Sequence, residues 1–399
     1  MSAARYLAAS IPLRVASSGS SVVLPILAVQ RLHDVAIGGG LVAASLAPSV
    51  IAAPLVGVAL DRTRHPRRLV AASGLVTAAA FALSAFLGTV PLWAVVAALV
   101  ISGAASPFFL GGLSSFVTDG FADERRAYAA DALSYNVGGV AGPGLAAIVV
   151  SVGAAGAGAF ILAGASLLGA IAVSGLPMAP RARPEHGALA AIGAGTLHLL
   201  THRPLAAVTL SGTVAQFGAG ALPICAVALE LQRADTPERG AWIVTAFAIG
   251  SLLGSLIATG RPPRRWRTET VMLVGFAGTG LLTIVAALDL GLPWTIAAIS
   301  LSGICTGPST AAMLLLRKQQ SPASVRSQIF TVGSGLRTTA AAVGAAVAGL
   351  LAGWDAGTLI IVIGVIWVAS ALIMLGYPRG ADPVDDDADR GRSAVGRAS

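Results

Sequence analysis

The chain has 399 residues, of which 55% are hydrophobic and only 11% charged, with a formal net charge of +8. A water-soluble domain normally carries about 25% charged residues, so the surplus apolar surface must face lipid. These figures argue against a soluble enzyme or a nucleic-acid-binding domain, and no basic patch is interleaved with aromatics as nucleic-acid recognition would require.

A helix needs about 20 mostly apolar residues to cross a bilayer. Read from the N-terminus, the sequence predicts six spans at 7–30, 37–60, 69–89, 92–118, 127–150 and 152–176. Six more follow at 203–229, 240–260, 269–288, 292–316, 327–351 and 355–377. These runs are uniformly apolar, whereas barrel strands alternate in polarity and are only about ten residues long. The expected class is an all-α integral membrane protein of twelve transmembrane helices. Arg5 precedes the first run with no processing site after it, so the first run is read as a span rather than a cleaved leader.

Charge gives the expected orientation. With the N-terminus inside, 21 of the 26 lysines and arginines fall in inner connections or the tail, leaving Arg31, Arg233 and Arg239 outside. Cationic loops resist translocation, so both termini are expected to be cytoplasmic, in a cell (inner or plasma) membrane. The basic loops would face anionic lipids.

The densest cluster, "GVALDRTRHPRR" at 57–68, joins the second and third spans. Retention needs only arginines; Asp61 does not help it. At the end of one helix and near the start of others, a carboxylate is worth roughly 0.3–1 kcal/mol through the helix macrodipole. Such a contact, made in one state and broken in another, would bias a conformational equilibrium.

The halves are related. "ISGAASP" at 101–107 is echoed by "LSGICTGP" at 301–308, Arg126 and Gly144 by Arg326 and Gly344, and the 57–68 loop by "GSLIATGRPPRR" at 254–265. Parallel six-helix repeats place the substrate site between the halves. The expected organisation is a bundle at 1–177, a connecting loop at 178–202, a second bundle at 203–378 and a disordered tail at 379–399.

Ionisable groups within spans are costly and mark candidate sites. Arg14 lies in the first span and Arg337 near the middle of the eleventh. Either they clamp an anionic substrate group, or they are structural and bond to backbone or snorkel. Tyr135, Asn136, Gln216 and Thr306 are further candidates for the cavity. For proton coupling, which needs a carboxylate that can change charge, Asp131 is the first candidate and Asp34 the second. The two cysteines, Cys225 and Cys305, have no metal-ligand spacing. No metal, cofactor or catalytic residue is expected, because a glycine run such as "GFAGTG" at 275–280 lies inside an apolar span with no strand before it.

On these motifs the chain resembles the major facilitator superfamily (MFS). Gly57, Asp61, Arg62, Arg67 and Arg68 match its loop pattern Gly-x-x-x-Asp-Arg-x-Gly-Arg-Arg, with Arg64 in place of the inner glycine and Pro66 intervening. Gly138, Gly142 and Pro143 match part of the fifth-span signature of its antiporters, while Ala146 and Ala147 replace the last glycines. Leu99 stands where a fourth-span arginine is common. The resemblance implies two pseudo-symmetric six-helix bundles, an Asp61 latch to the start of the eleventh span, and a sliding interface helix around Pro143. It also implies a functional monomer exporting a drug-like or metabolite molecule in exchange for protons; the two in-span arginines add an anionic molecule to the candidates. Uptake by symport or uniport is the alternative within transport. A non-transporting receptor or assembly factor is the alternative of another class.

The orientation is checked by thiol labelling with Cys225 and Cys305 replaced by alanine. Thr63→Cys is expected to react with an impermeant maleimide only in inside-out vesicles, and Thr236→Cys only in intact cells; reversed reactivity would overturn the orientation.

Overall fold

The computed structural model describes residues 3–117, 124–151, 155–178, 197–199, 201–260, 266–288, 290–322 and 326–378. Each predicted span is helical. The first six are Ala3–Leu32; Val35–Leu46 continued by Pro48–Arg62; Pro66–Ser84; Leu92–Pro107; Glu124–Ser151; and Ala155–Val173. The second six are Arg203–Ala234, Gly240–Gly260, Thr268–Ala286, Leu292–Gln319, Arg326–Leu350 and Ala356–Ile373. No strand occurs among the described residues. Most of 178–202 and all of 379–399 lie outside them.

Among the described residues, ten helices are long and apolar enough to cross a membrane by themselves. The fifth and eleventh are not among the ten. The apolar part of the fifth is the shorter stretch Leu133–Val149, preceded by Asp131, and the eleventh carries Arg337 among serines and threonines. These two helices also make most of the contacts between the halves. The fifth packs on the eighth, and the eleventh on the second.

Within each set of six the packing repeats. The first span lies against the fifth and sixth, as the seventh lies against the eleventh and twelfth; the third meets the fourth and sixth as the ninth meets the tenth and twelfth. Large apolar side chains point outward, with Ile51 and Leu350 each 78% exposed. Such an exterior suits lipid and would be a liability in water.

Between spans, small residues set the spacing. A Cβ added to Gly142 would lie 2.7 Å from both the Gly19 nitrogen and the Val15 oxygen, and one added to Gly39 would lie 2.9 Å from the Gly349 Cα. Close backbone approach of this kind is how helices associate where lipid gives no hydrophobic drive. Two prolines shape the cavity walls. Pro48, lacking an N–H, interrupts the second span at Ala47. Pro107 precedes a π-helical segment, Phe108–Gly112, the kind of bulge that re-aims side chains near sites.

Trp367 is 1% exposed and stacks on Phe247 at 5.6 Å between ring centroids; Trp93 and Trp354 are exposed. One expectation is corrected. Arg317, counted among the loop cations, is the last-turn arginine of the tenth span and is only 1% exposed.

Gly142→Val is expected to lower the thermal midpoint of the detergent-solubilised protein by the equivalent of ~1–3 kcal/mol, the usual consequence of overpacking. Gly139→Ala meets open space and is expected to be neutral or stabilising by up to about 1 kcal/mol. Equal midpoints for the two variants would refute the packing role of Gly142.

Candidate functional site

Two adjoining cavity lobes lie between the halves. The first, about 440 Å³, is walled by Ser17, Ser18 and Ser21 of the first span, Tyr135, Asn136, Gly139 and Pro143 of the fifth, Pro223 of the seventh, and Phe247, Ser251 and Ser255 of the eighth. The second, about 490 Å³, is walled by Ser45, Ser49 and Val50 of the second span, Ser106, Pro107 and Ser114 of the fourth, Asp131, and Phe330, Ser334 and Thr338 of the eleventh. Ser17, Leu46 and Tyr135 line both. Their combined size suits a drug-sized molecule. The second lobe runs toward the helix ends joined by the second–third, fourth–fifth and tenth–eleventh connections. At the opposite end the halves meet through the Gln30 amide, which donates to Glu238, and the Gly39–Gly349 contact.

The charged centre is a pair between the first and fifth spans. Arg14 Nη2 lies 2.6 Å from Asp131 Oδ1, with side chains 1% and 16% exposed. Arg14 Nη1 donates to the Asp131 carbonyl at 2.8 Å and to Ser134 Oγ, and Nη2 donates to Ser114 Oγ at 2.8 Å. Its guanidinium carbon sits 3.4 Å from the centre of the Tyr135 ring, a cation–π contact that adds to the pair. Tyr6 donates its hydroxyl to Asp131 Oδ1 at 2.5 Å. Gly138 makes room for the arginine: a Cβ there would come within 2.6 Å of the Arg14 Cβ.

Tyr6, Ser114 and Ser134 escaped the sequence reading. Ser134 follows Asp131 by three residues and so shares its helix face, and Tyr6 precedes Arg14 by two helical turns. Those spacings were available signals. Nothing local marked Ser114, which reaches the pair only after the π-helical segment has turned the fourth span.

The other candidates separate clearly. Tyr135 and Asn136 line the cavity, and Pro143 borders it beside them. Arg14, Gln216, Thr306 and Arg337 line neither lobe. Arg337 Nη2 donates to Gln216 Oε1 at 3.3 Å, linking the seventh and eleventh spans as Arg14 and Asp131 link the first and fifth. Thr306 bonds to Thr279 at 2.8 Å. The anion-clamp reading required both arginines to face the cavity. Their position favours the structural reading, in which Arg14 has its counter-charge in Asp131. Asp34 caps the second span, accepting from the Ile37 amide at 3.1 Å. Among the latch residues, Arg62, Arg67 and Arg68 are exposed, Gly57 meets nothing within 4 Å of an added Cβ, and the side chain of Asp61 lies outside the described residues. No cluster of metal-binding side chains occurs among the described residues.

A buried pair deprived of one member leaves an uncompensated charge, which destabilises by about 3–5 kcal/mol. Arg14→Ala and Asp131→Ala are each expected to lose about that much, and the double variant less than the sum. Thermal midpoints in a double-mutant cycle check this; simple additivity would mean that the two side chains do not interact.

The sequence profile of the Major Facilitator Superfamily matches residues 7–224, more than half of the chain. An uncharacterized MFS-type transporter, y4rN of Sinorhizobium fredii (strain NBRC 101917 / NGR234), is 24% identical over 386 residues, covering 93% of each chain. The solved structure of the nucleoside transporter NupG is similar with a TM-score of 0.75 at 14% identity, over 94% of this chain and 99% of that one. A POT family transporter in complex with 5-aminolevulinic acid gives 0.74 at 11%, over 94% and 95%. At these identities the structural likeness concerns the fold alone. With its helical repeat, its central cavity and the matched profile, the chain belongs to the Major Facilitator Superfamily and is a non-enzymatic, multi-pass membrane transporter of a small molecule.

Proposed function

We propose that the protein is a proton-coupled exporter of a drug-like or metabolite molecule, acting as a monomer in the cell membrane with both termini cytoplasmic. The observation that carries this reading is the Arg14–Asp131 pair at the cavity wall. Among the described residues lining the two lobes, Asp131 is the only carboxylate.

A proton on Asp131 would discharge the partner of Arg14 and loosen the tie between the first and fifth spans. That is the differential interaction a coupling ion needs if it is to shift a two-state equilibrium. Tyr6 and Ser114, both within hydrogen-bond distance of Oδ1, would hold the carboxyl group in place as it changes charge. Export is supported by the partial antiporter signature at Gly138, Gly142 and Pro143. With the arginine-rich connections inside, the second lobe extends toward the cytoplasm, from which an exporter loads. Asp61 is assigned the latch of the opposite state, closing the cytoplasmic end against the start of the eleventh span.

Compound accumulation in an efflux-deficient bacterial host tests the proposal. Cells making the wild type are expected to accumulate some compound of a chemically varied panel about tenfold less than cells making Asp131→Asn, the scale of one lost charge-assisted interaction. A protonophore should abolish the difference, and Asp61→Asn should reduce it. Protonophore-insensitive export would remove proton coupling, and higher accumulation in the wild type would point to uptake.

A further inference from the structure

The cavity walls are unequal in donors and acceptors. A serine or threonine hydroxyl has one proton and two lone pairs. Ser45 donates to the Val42 oxygen at 2.7 Å, Ser49 to the Leu46 oxygen at 2.6 Å and Ser106 to the Gly103 oxygen at 2.9 Å. All three line the second lobe. With their protons committed to carbonyls of their own helices, these hydroxyls show the cavity lone pairs only.

Asp131 adds charge to the same wall. Its Oδ1 takes Arg14, Tyr6 and, at 3.0 Å, Ser114, which shares its single proton with the Leu110 oxygen at 3.1 Å. Its Oδ2 accepts no hydrogen bond from the described residues, and the carboxylate lines the lobe. Arg14 stands behind, 1% exposed and away from the lining. Arg317, which is buried, and Arg337 line neither lobe. Around these groups the second lobe therefore meets its contents with one carboxylate and the oxygens of Ser45, Ser49 and Ser106, and no cationic side chain stands among its described lining residues; the hydroxyls of Ser17, Ser334 and Tyr135, elsewhere in the lining, can donate.

We infer that the second lobe recognises a protonated primary amine on the transported molecule. An ammonium has three donors and no acceptor, which complements Asp131 Oδ2 together with the hydroxyl oxygens of Ser45, Ser49 and Ser106. A carboxylate or phosphate placed there would meet lone pairs where it needs donors. Tyr135 and Asn136, at the junction with the first lobe, supply donors for the rest of the molecule. The inference rests on the transport reading above and names the class of substrate for the same site.

The test uses purified full-length protein in lipid nanodiscs and three matched pairs: tyramine, glucosamine and spermidine, each against its N-acetylated form. Titration calorimetry is expected to show each amine binding about tenfold or more tighter than its amide, the scale of a charge-assisted hydrogen bond. Asp131→Asn is expected to erase the preference and Asp131→Glu to keep it. If Asp131→Asn does not fold, the Ser45→Ala/Ser49→Ala double variant serves in its place and is expected to weaken the amines while sparing the amides.

Equal binding of amine and amide by the folded wild type, or no binding by any of the three amines, would overturn the inference. The two readings fail separately. Amine-selective binding without protonophore-sensitive export removes proton-driven export and leaves amine recognition standing. Proton-driven export of compounds lacking an amine, with no amine preference in binding, removes amine recognition alone.

Discussion

Lipid offers no hydrogen-bond partner, and most of this structure follows from that constraint. Every backbone group in the hydrocarbon region must be satisfied within the protein, which restricts the chain to helices once barrels are excluded. Many polar side chains follow the same rule. Ser45, Ser49, Ser106 and Thr338 turn their protons onto carbonyls of the preceding turn, and Arg14 collects Asp131, Ser114 and Ser134 around its two terminal nitrogens.

The ties within each half differ in kind from those between halves. Inside the first set of six, an ion pair and three hydroxyl-bearing side chains join the first span to the fourth and fifth. Inside the second, Gln216 and Arg337 join the seventh to the eleventh. Between halves, the Gln30–Glu238 hydrogen bond and close glycine contacts meet at one end, and the cavity occupies the other. A transporter must break and remake only the second kind of contact. Glycine contacts suit that, because they hold backbones close without interdigitating large side chains.

Burial of Arg14 also shapes what the cavity presents. A guanidinium facing the solute would make the wall cationic. Drawn back against Asp131 and the Tyr135 ring, it leaves the carboxylate forward, so the pair is neutral in sum while its exposed edge is acidic. Tyr135, 43% exposed, forms the floor of this arrangement and belongs to both lobes.

The sequence by itself determined the helical class, the positions of the spans, the family and the prominence of Arg14, Asp131, Tyr135 and Asn136. These follow from composition along the chain and from the expense of a polar group in lipid, and neither needs a partner to be known. Tertiary structure decided which polar groups meet. Arg14 and Asp131 are 117 residues apart, and no periodicity relates them; the pairing exists because glycines at 138 and 142 let the first span lie against the fifth. It also decided that Arg317 and Trp367 are interior, that Asp34 is a cap, and that Ser114 belongs to the site, since each depends on which neighbouring helix covers a given face. Hydropathy reports that a residue is costly to bury. Only the packing of one helix on another shows what offsets that cost.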